Sequence, residues 1–274
     1  MRMVFPPEPA LSAFVAYYDL VLTLDQGGSA WIPPLLGGGL SFSQPGGRIS
    51  VSNSRFPNKI VEGSFVIPVH SESYRMQFQK GYWALGVHFF PGKFYQFFGW
   101  PQSLFTDEQQ PVKPEETDLR QEFRDLEEQL QEAQTPAAKV ERINAFLISH
   151  LPGKKVTHWN ADPLVQAVYL SHGNIKVCDL ARMTRLSERH FRRLFKEGTG
   201  LPAPTFIRIS RFYQAFWRIL SGQYSSLTWL AQEGGYFDQA HLIRDFRFYT
   251  GQSPRQFVKD HHYLTEHLAW TTRG

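Results

Sequence analysis

The sequence predicts an α+β chain, in which a β-rich sheet or barrel domain with two amphipathic helices precedes an all-α domain of two helix-turn-helix units joined by a long helix. Three observations lead to this fold class. Short apolar runs separated by Gly, Pro, Asn and Ser occupy residues 1–108, two stretches of helical periodicity lie at about 115–150, and one pattern occurs twice between residues 180 and 254. Such runs are typical of strands, and a pattern repeated at a fixed period marks a duplicated supersecondary unit.

The first part of the chain carries the strand signals. Short or alternating apolar runs lie at Trp31-Ile32, Gly39 to Phe42, Ile49 to Val51, Gly63 to Val69, Tyr74 to Phe78 and Trp83 to Phe90. Turn-forming residues separate these runs, which favours several strands in a compact sheet or barrel. An aromatic helical turn is predicted after them, at Phe94 to Trp100.

Six side chains of this region are candidates for lining a ligand pocket: His70, Tyr74, Arg75, Tyr82, Trp83 and His88. Aromatic residues make up 15% of the chain, so we expect most of these rings to serve as barrel core instead. His70 and His88 do not have the spacing of metal ligands, and this half contains no cysteine. The sequence therefore predicts no metal site and no other cofactor.

Two amphipathic helices are predicted next. Apolar residues recur at intervals of three or four at Leu119, Phe123, Leu126 and Leu130, and again after Thr135-Pro136 at Val140, Ile143 and Leu147. This spacing places them on one face of each helix. Those faces either pack on the chain's own sheet or form the seam of a homodimer.

The sequence predicts four segments. They are a β-rich domain at residues 1–150, a linker at 151–162, a helical domain at 163–262 and a tail at 263–274.

One pattern occurs twice in the helical domain. Its first copy consists of Leu180-Ala181, His190-Phe191, Phe195, Thr199-Gly200 and Pro202, and its second of Leu230-Ala231, His241-Leu242, Phe246, Thr250-Gly251 and Pro254. The offset is 50 residues at the opening pair and 51 residues from the histidine to the glycine. Each copy predicts a short helix, a turn and a second helix.

The second helix of each copy has a predicted cap and a predicted buried face. Ser187 and Asp238 stand at N-cap positions, where a side-chain oxygen accepts a hydrogen bond from a free amide of the first turn. The buried face is predicted to hold Phe191, Leu194 and Phe195 in the first copy and Leu242, Ile243 and Phe246 in the second. The opposite face of each helix is left for a partner.

The free face of the first of these helices carries Arg189, Arg192 and Arg193, with Arg185 and Lys196 beside them. An arginine fork matches the major-groove edge of guanine and also phosphate oxygens. A merely solvated helix surface is the competing interpretation of such charges. The duplication favours DNA, because tandem units of this kind have few other uses.

The corresponding positions of the second helix are Gln239, Ala240, His241 and Arg244, with Arg247 one turn on. Gln can read adenine through two hydrogen bonds, and Arg244 can read guanine or hold phosphate.

The distribution of charge along the chain also favours DNA as the partner. Residues 163–262 have 14 basic and 7 acidic side chains, a net charge of +7, whereas residues 1–162 have 14 basic and 17 acidic, a net charge of −3. Phosphate neutralisation dominates sequence-independent DNA affinity, so the basic part is predicted to bind DNA.

These motifs resemble the DNA-binding region of AraC-type transcription regulators over about residues 163–262. The matching segments are Ser187 to Pro202 (SERHFRRLFKEGTGLP), then Phe206, Arg211, Ala215 and Ile219-Leu220, then Ile243 to Phe257 (IRDFRFYTGQSPRQF). The resemblance implies a joining helix of about Thr205 to Leu220 and two recognition helices in successive major grooves. It also implies that the arginines of the first unit and positions 239, 240, 241 and 244 of the second contact bases.

Three residues or pairs depart from the family pattern. Ala240 stands where a polar base-reading side chain often occurs, which predicts fewer base contacts in the second unit. Phe237 is apolar at the helix entrance, and a hydrophobic staple is the favoured role, ahead of contact with a thymine methyl. Gly234-Gly235 doubles the usual turn glycine and is expected to loosen this unit.

Composition excludes several other classes. The 274 residues allow two domains with a core each, and no apolar run is long enough to span a bilayer. Prolines interrupt the N-terminal MRMVFPPEPA where a signal peptide needs an unbroken apolar core. The single cysteine, Cys178, excludes a disulfide within the chain and fits a cytoplasmic location. We predict that Cys178 is buried in the core.

The sequence thus predicts a cytoplasmic transcription regulator that binds double-stranded promoter DNA and is not an enzyme. The resemblance implies a β-rich sensing domain, RNA polymerase as a partner, and control by a small-molecule effector or by homodimerisation. The alternative is a ligand-independent regulator whose N-terminal domain serves only protein–protein contacts. Relatives fused to alkyl-damage repair modules need several reactive or zinc-bound cysteines, and this chain has only Cys178.

Overall fold

A computed structural model describes residues 1–23, 26–53, 57–106, 113, 117–153 and 159–260. Its strands are β1 (Arg2–Phe5), β2 (Val15–Leu22), β3 (Gly28–Ile32), β4 (Gly39–Ser43), β5 (Arg48–Ser52), β6 (Lys59–Glu62), β7 (Phe65–Ile67), β8 (Tyr74–Phe78) and β9 (Trp83–Phe89). Its helices are α1 (Lys93–Phe98), α2 (Arg120–Glu132), α3 (Pro136–Ser149), α4 (Asp162–Leu170), α5 (Val177–Thr184), α6 (Glu188–Thr199), α7 (Ala203–Leu220), α8 (Leu227–Glu233), α9 (Gln239–Thr250) and α10 (Pro254–Asp260). This order confirms the predicted fold class. The predicted tail at 263–274 and positions 154–158 of the predicted linker lie outside the described residues.

The strands form two antiparallel sheets that lie face to face. The larger sheet has the order β1-β2-β9-β4-β7 and the smaller has the order β3-β8-β5-β6. Ile49 and Val61 of the smaller sheet share one apolar cluster with Phe65 and Ala84 of the larger sheet. Because side chains alternate along a strand, each sheet has an inner face toward this cluster and an outer face.

Helices α2 and α3 cover the outer face of the larger sheet. Their predicted apolar residues, Phe123, Leu126, Leu130, Val140, Ile143 and Leu147, are all buried in one core with that sheet. The Tyr18 hydroxyl of β2 also donates a buried hydrogen bond to Asn144 Oδ1 of α3, at 2.6 Å. Packing on the chain's own sheet is therefore the alternative that the structure adopts. A homodimer seam through these faces would require this core to be opened.

The long helix α7 forms the shared core of the helical part. Phe195 of α6 packs on Phe206 with ring centroids 5.5 Å apart, and Phe246 of α9 packs on Phe212 at 5.8 Å. The two recognition helices therefore rest on successive turns of one helix, as the joining helix predicted at Thr205 to Leu220 requires. No helix of the described residues is both long enough and apolar enough to cross a bilayer.

The prediction of a buried Cys178 is wrong. The side chain is exposed, with Sγ 3.9 Å from Asp179 Oδ1. Helix α5 buries Leu180 and Ala181. Cys178 lies outside the face of the helix that this pair turns toward the core. A short helix has one narrow buried face, and small size alone does not place a residue on it.

The β-rich part and the helical part are packed against each other. The Trp31 ring of β3 lies 6.1 Å from the Phe216 ring of α7 and 5.3 Å from the Phe257 ring of α10. The Tyr213 hydroxyl of α7 donates a hydrogen bond to the Pro34 carbonyl. Lys93 of α1 also forms an ion pair with Asp162 at the start of α4. Helices α4, α7 and α10 are thus held against the strand domain by apolar and polar contacts.

Candidate nucleic-acid interface and ligand cavity

The first unit presents one side of α6 to solvent. Arg185 ends α5 in the left-handed conformation, with φ 57°, and the Ser187 side chain accepts a hydrogen bond from the His190 N–H at 3.4 Å. Phe191 and Phe195 fix the buried side of the helix. The four candidates of this helix are exposed on the remaining surface: Arg189, Arg192, Arg193 and Lys196.

Intrahelical salt bridges hold two of these arginines. Arg192 Nη2 lies 2.5 Å from Glu188 Oε1, and Arg193 Nη1 lies 2.7 Å from Glu197 Oε1. Exposed pairs contribute about 0–1 kcal/mol, so a phosphate or a guanine edge can replace either carboxylate at small cost. Arg189 forms no ion pair with any other residue that the structure describes.

The second unit repeats this construction on α8 and α9. The Asp238 side chain accepts a hydrogen bond from the His241 N–H at 2.6 Å and starts α9. Gln239 accepts a hydrogen bond from Thr228 Oγ1 of α8 at 2.9 Å, which fixes its amide. His241 is half-buried, with its ring 5.2 Å from the Tyr236 ring, so it is less available to DNA than the others. The other candidates of this helix are exposed: Gln239, Ala240, Arg244 and Arg247.

The duplication extends to individual hydrogen bonds at the end of each recognition helix. Thr199 Oγ1 donates to the Phe195 carbonyl at 2.7 Å and lies 3.2 Å from the Leu201 carbonyl. Thr250 Oγ1 makes the same contacts in the second unit, at 2.7 Å and 3.0 Å. A left-handed glycine follows each threonine, at φ 82° for Gly200 and 75° for Gly251. The repeated Thr-Gly pair is therefore a helix stop signal.

The glycine doublet of the second unit has a structural role. Gly235 adopts φ 68°, and a Cβ there would lie 3.1 Å from the Asn174 side chain. A Cβ on Gly234 would lie 2.9 Å from the Leu230 carbonyl oxygen. Both glycines allow a close turn against neighbouring atoms.

The expected hydrophobic staple at Phe237 is wrong. Phe237 is 91% exposed, whereas Leu242, the partner that a staple would use, is 0% exposed. Tyr236, one position earlier, is buried and takes the place beside the core. The staple fails because Tyr236 already fills the apolar space at the helix entrance.

An ion pair links α9 to α7, and the sequence analysis did not identify it. Arg208 Nη2 lies 2.7 Å from Oδ1 of Asp245, a residue that is only 3% exposed. The Asp245 hydrogen bond raises the pKa of Arg208. The guanidinium also lies over the Phe248 ring, 4.9 Å from its centroid. This contact orients the second recognition helix relative to the first.

Comparison with known proteins identifies the helical part. Residues 180–260 match a protein family described as a helix-turn-helix domain, of the AraC type. The chain therefore contains a helix-turn-helix domain of the AraC type at residues 180–260. Domains of this kind are those of DNA-binding transcription regulators. Residues 3–111 match a second family, described as a domain of unknown function (DUF6597).

Several solved structures resemble the chain at low sequence identity. ToxT from Vibrio cholerae O395, bound to (E)-4-(8-methylnaphthalen-1-yl)but-3-enoic acid, is 7% identical with a TM-score of 0.46, covering 88% of this chain and 98% of that one. ToxT from strain SCE256 with an unsaturated fatty acid bound is 8% identical with a TM-score of 0.43, covering 87% and 94%. The C-terminal domain of AraT, a response regulator from Geobacillus stearothermophilus, is 20% identical with a TM-score of 0.34, covering 36% and 84%.

A cavity of about 580 Å³ lies between the two sheets. Five of the six ligand-pocket candidates line it: His70, Tyr74, Arg75, Tyr82 and His88. Trp83 does not. Its side chain packs with the outer core of the larger sheet, where Lys139 Nζ lies 4.1 Å from its ring centroid. Strand alternation sends Trp83 and its neighbour Ala84 to opposite faces.

A polar cluster on the inner face of the larger sheet was missed by the sequence analysis. Asp19 Oδ1 accepts a hydrogen bond from His88 Nε2 at 2.8 Å, and Asp19 Oδ2 lies 2.9 Å from Arg2 Nη2. The His88 ring stacks on Tyr17, with centroids 4.4 Å apart. His88 Nδ1 is buried and has no hydrogen-bond partner among the described residues. The signal in the sequence was one acidic residue inside the apolar run of β2.

The charge state of this cluster follows from its pairing. Burial of the Asp19 carboxyl alone would raise its pKa, but His88 and then Arg2 outweigh that effect and hold the pKa of Asp19 below its ordinary value. Gly86 makes this pairing feasible. A Cβ on Gly86 would collide with Asp19 Oδ1 and lie 2.8 Å from His88 Nε2.

The cavity reaches the boundary between the two parts of the chain. Tyr213 of α7 lines it together with the strand residues. On β3, Ala30 and Ile32 also line it, while Trp31 between them contacts the rings of α7 and α10. The edge strand β3 and Tyr213 therefore form the wall of the cavity that faces the helical part.

Proposed function

We propose that this regulator recognises specific promoter DNA through α6 and α9, and that a small molecule in the cavity between the sheets controls its DNA affinity. The observation that carries the proposal is the shared wall formed by β3 and Tyr213. A molecule in the cavity touches the same strand whose Trp31 packs on the helical part. Ligand occupancy and the position of the DNA-binding helices are then physically linked.

Control of this kind requires two arrangements of the chain. A ligand shifts an equilibrium only by the difference in its affinity for the two states. In the described arrangement Tyr213 bonds to the Pro34 carbonyl and also lines the cavity. An arrangement in which α7 moves away from β3 would lose that wall, so a ligand that contacts Tyr213 favours the packed arrangement.

The lining of the cavity indicates the class of ligand. Pockets of about 300–1,000 Å³ hold small organic molecules, and 580 Å³ lies within that range. Much of the wall is apolar, including Val51, Ile67 and Met76. Arg2 and Arg75 bring positive charge to it, and Asp19 is the one acidic side chain among the described lining residues. We therefore expect a molecule with an apolar body and an acidic polar group near Arg2 and His88.

The DNA side of the proposal assigns roles within each helix. Arg189, Arg192 and Arg193 lie on the N-terminal and central turns of α6, where recognition helices contact base edges. Lys196 lies one turn further and is placed to hold phosphate. On α9, Gln239 and Arg244 are the base-reading candidates, His241 is partly withdrawn, and Arg247 corresponds to the phosphate position.

The test combines ligand binding with DNA binding on the full chain. A panel of small apolar carboxylates is screened by thermal shift, since a ligand at 100 times its Kd stabilises the folded chain by about 2.7 kcal/mol. Each binder is then added to a fluorescence anisotropy titration of a duplex obtained by in vitro selection. We expect binders to change the Kd for that duplex. Tyr213→Phe should weaken this coupling, while Tyr169→Phe, on α4, should not.

The outcomes separate the two parts of the proposal. Binders that leave the DNA affinity unchanged would refute ligand control but not DNA recognition. A panel without binders, with DNA affinity intact, would favour the N-terminal domain as a site of protein contacts only. Lack of affinity for any duplex at low salt would refute DNA recognition by these helices.

A further inference from the structure

The two units differ at the residue that precedes the N-cap of the recognition helix. Leu186 and Phe237 are equivalent by the 51-residue offset, and both are apolar. Leu186 is half-buried and packs against the core of the helical part. Phe237 is 91% exposed. A phenylalanine ring left in water gains none of the free energy that burial would give, so its position calls for an explanation from outside the fold.

The structure prevents Phe237 from turning inward. Tyr236 is 5% exposed and occupies the space beside the core, where the Arg211 guanidinium lies 5.6 Å from its ring centroid. The Phe237 backbone N–H donates to His241 Nδ1 at 3.4 Å, which ties the backbone to the first turn of α9. The side chain is thereby held at the tip of the recognition helix.

The surroundings of Phe237 are the base-reading candidates of the second unit. Gln239 and Ala240 occupy the first two positions of α9, and both are exposed. Ala240 offers only a methyl group where a polar side chain would reach a base edge. Phe237 therefore supplies the large apolar surface at this end of the helix.

We propose that Phe237 contacts the C5-methyl group of a thymine and thereby determines specificity in the second half-site, the base pairs next to α9. This inference rests on the proposed recognition of DNA by α9. The thymine methyl is the apolar feature of the major-groove edge, and the N-terminal residues of a recognition helix are the ones that approach base edges. The Phe237 ring offers this methyl a larger apolar surface than the single methyl group of Ala240 does. The first unit, whose Leu186 is packed in the core, has no equivalent of it.

The test deletes the methyl group from the DNA and the ring from the protein. In a selected duplex, each thymine of the second half-site is replaced singly by uracil, which removes only the methyl, and Kd is measured for the full chain. Wild type should lose affinity at one position by about fourfold, the factor for one buried methylene-sized group. Phe237→Ala should bind the thymine and uracil duplexes equally. Phe237→Leu should retain part of the discrimination.

Two controls make the result specific. Leu170→Ala removes another exposed apolar residue, on α4, and should keep the wild-type response to uracil. Thymine-to-uracil changes in the first half-site should affect wild type and Phe237→Ala alike. The proposal is overturned if no uracil in the second half-site weakens wild-type binding, or if Phe237→Ala keeps the same uracil penalty. It is also overturned if Phe237→Ala weakens all duplexes uniformly, which indicates backbone contact, or leaves DNA binding unchanged, which indicates another partner.

Discussion

The substitution Gly86→Ala should break the polar cluster of the cavity without touching the helical part. The added Cβ would collide with Asp19 Oδ1 and lie 2.8 Å from His88 Nε2, so the Asp19–His88 hydrogen bond must open. The nearest atoms belong to side chains, so the strand pairing itself need not change. The carboxylate then stays buried with one partner fewer. Leaving a buried polar group unsatisfied costs about 1–3 kcal/mol, which is the expected loss in the free energy of unfolding near neutral pH.

The loss should depend on pH in a defined direction. The folded-state pKa of Asp19 lies below the ordinary carboxyl value of 3.8, so wild type gains stability from this group above that value and loses it as the pH falls through the folded pKa. The variant loses the His88 interaction, which lowers the pKa of Asp19, so that pKa is higher in the variant than in wild type. The stability difference between the two proteins should therefore be largest near neutral pH and should shrink as the carboxyl becomes protonated in both.

Urea unfolding followed by tryptophan fluorescence, from neutral pH down to about pH 3, measures this difference. Gly153→Ala is the matched control, because a Cβ there meets no atom of the described residues within 4 Å, its chain neighbours aside. A Gly86→Ala variant as stable as wild type at neutral pH would show that the cluster contributes nothing. A loss that stays constant as the pH falls would assign the effect to steric overlap alone.

Three further predictions concern DNA. Arg192→Ala should cost about 1–3 kcal/mol on the preferred duplex and relax specificity, whereas Lys196→Ala should weaken all sequences by a similar factor; equal effects on specificity in a selection assay would contradict these roles. The plot of log K against log salt should have a slope of about −5, the value for five or six neutralised phosphates, and a slope near zero would mean that the arginine side of α6 is merely solvated. A fragment that begins near Asp162 should fold alone and bind DNA, as circular dichroism and anisotropy would show. A folded fragment without affinity for any duplex at low salt would contradict the proposed domain boundary.

The equivalence of the two units explains why the helical part was predictable in detail. Ser187 and Asp238 cap their helices, and Thr199 and Thr250 end them, through contacts within a few residues of the chain. Such signals are local, so their spacing in the sequence is also their spacing in the structure. The joining helix followed in the same way, and its start differs from the predicted one by two residues, Ala203 instead of Thr205.

The sequence by itself therefore determined the α+β fold class, the duplicated helix-turn-helix units and the exposed arginines of α6, because capping and helical periodicity act over one or two turns. Only the tertiary structure decided the partners of Asp19 and the exposure of Phe237 and Cys178. Asp19 meets His88 across 69 positions of the chain, and that contact exists only because β2 and β9 are neighbours in one sheet. Phe237 is exposed because Tyr236 already fills the core beside it. Contacts between distant segments depend on which elements become neighbours, and local spacing does not encode that.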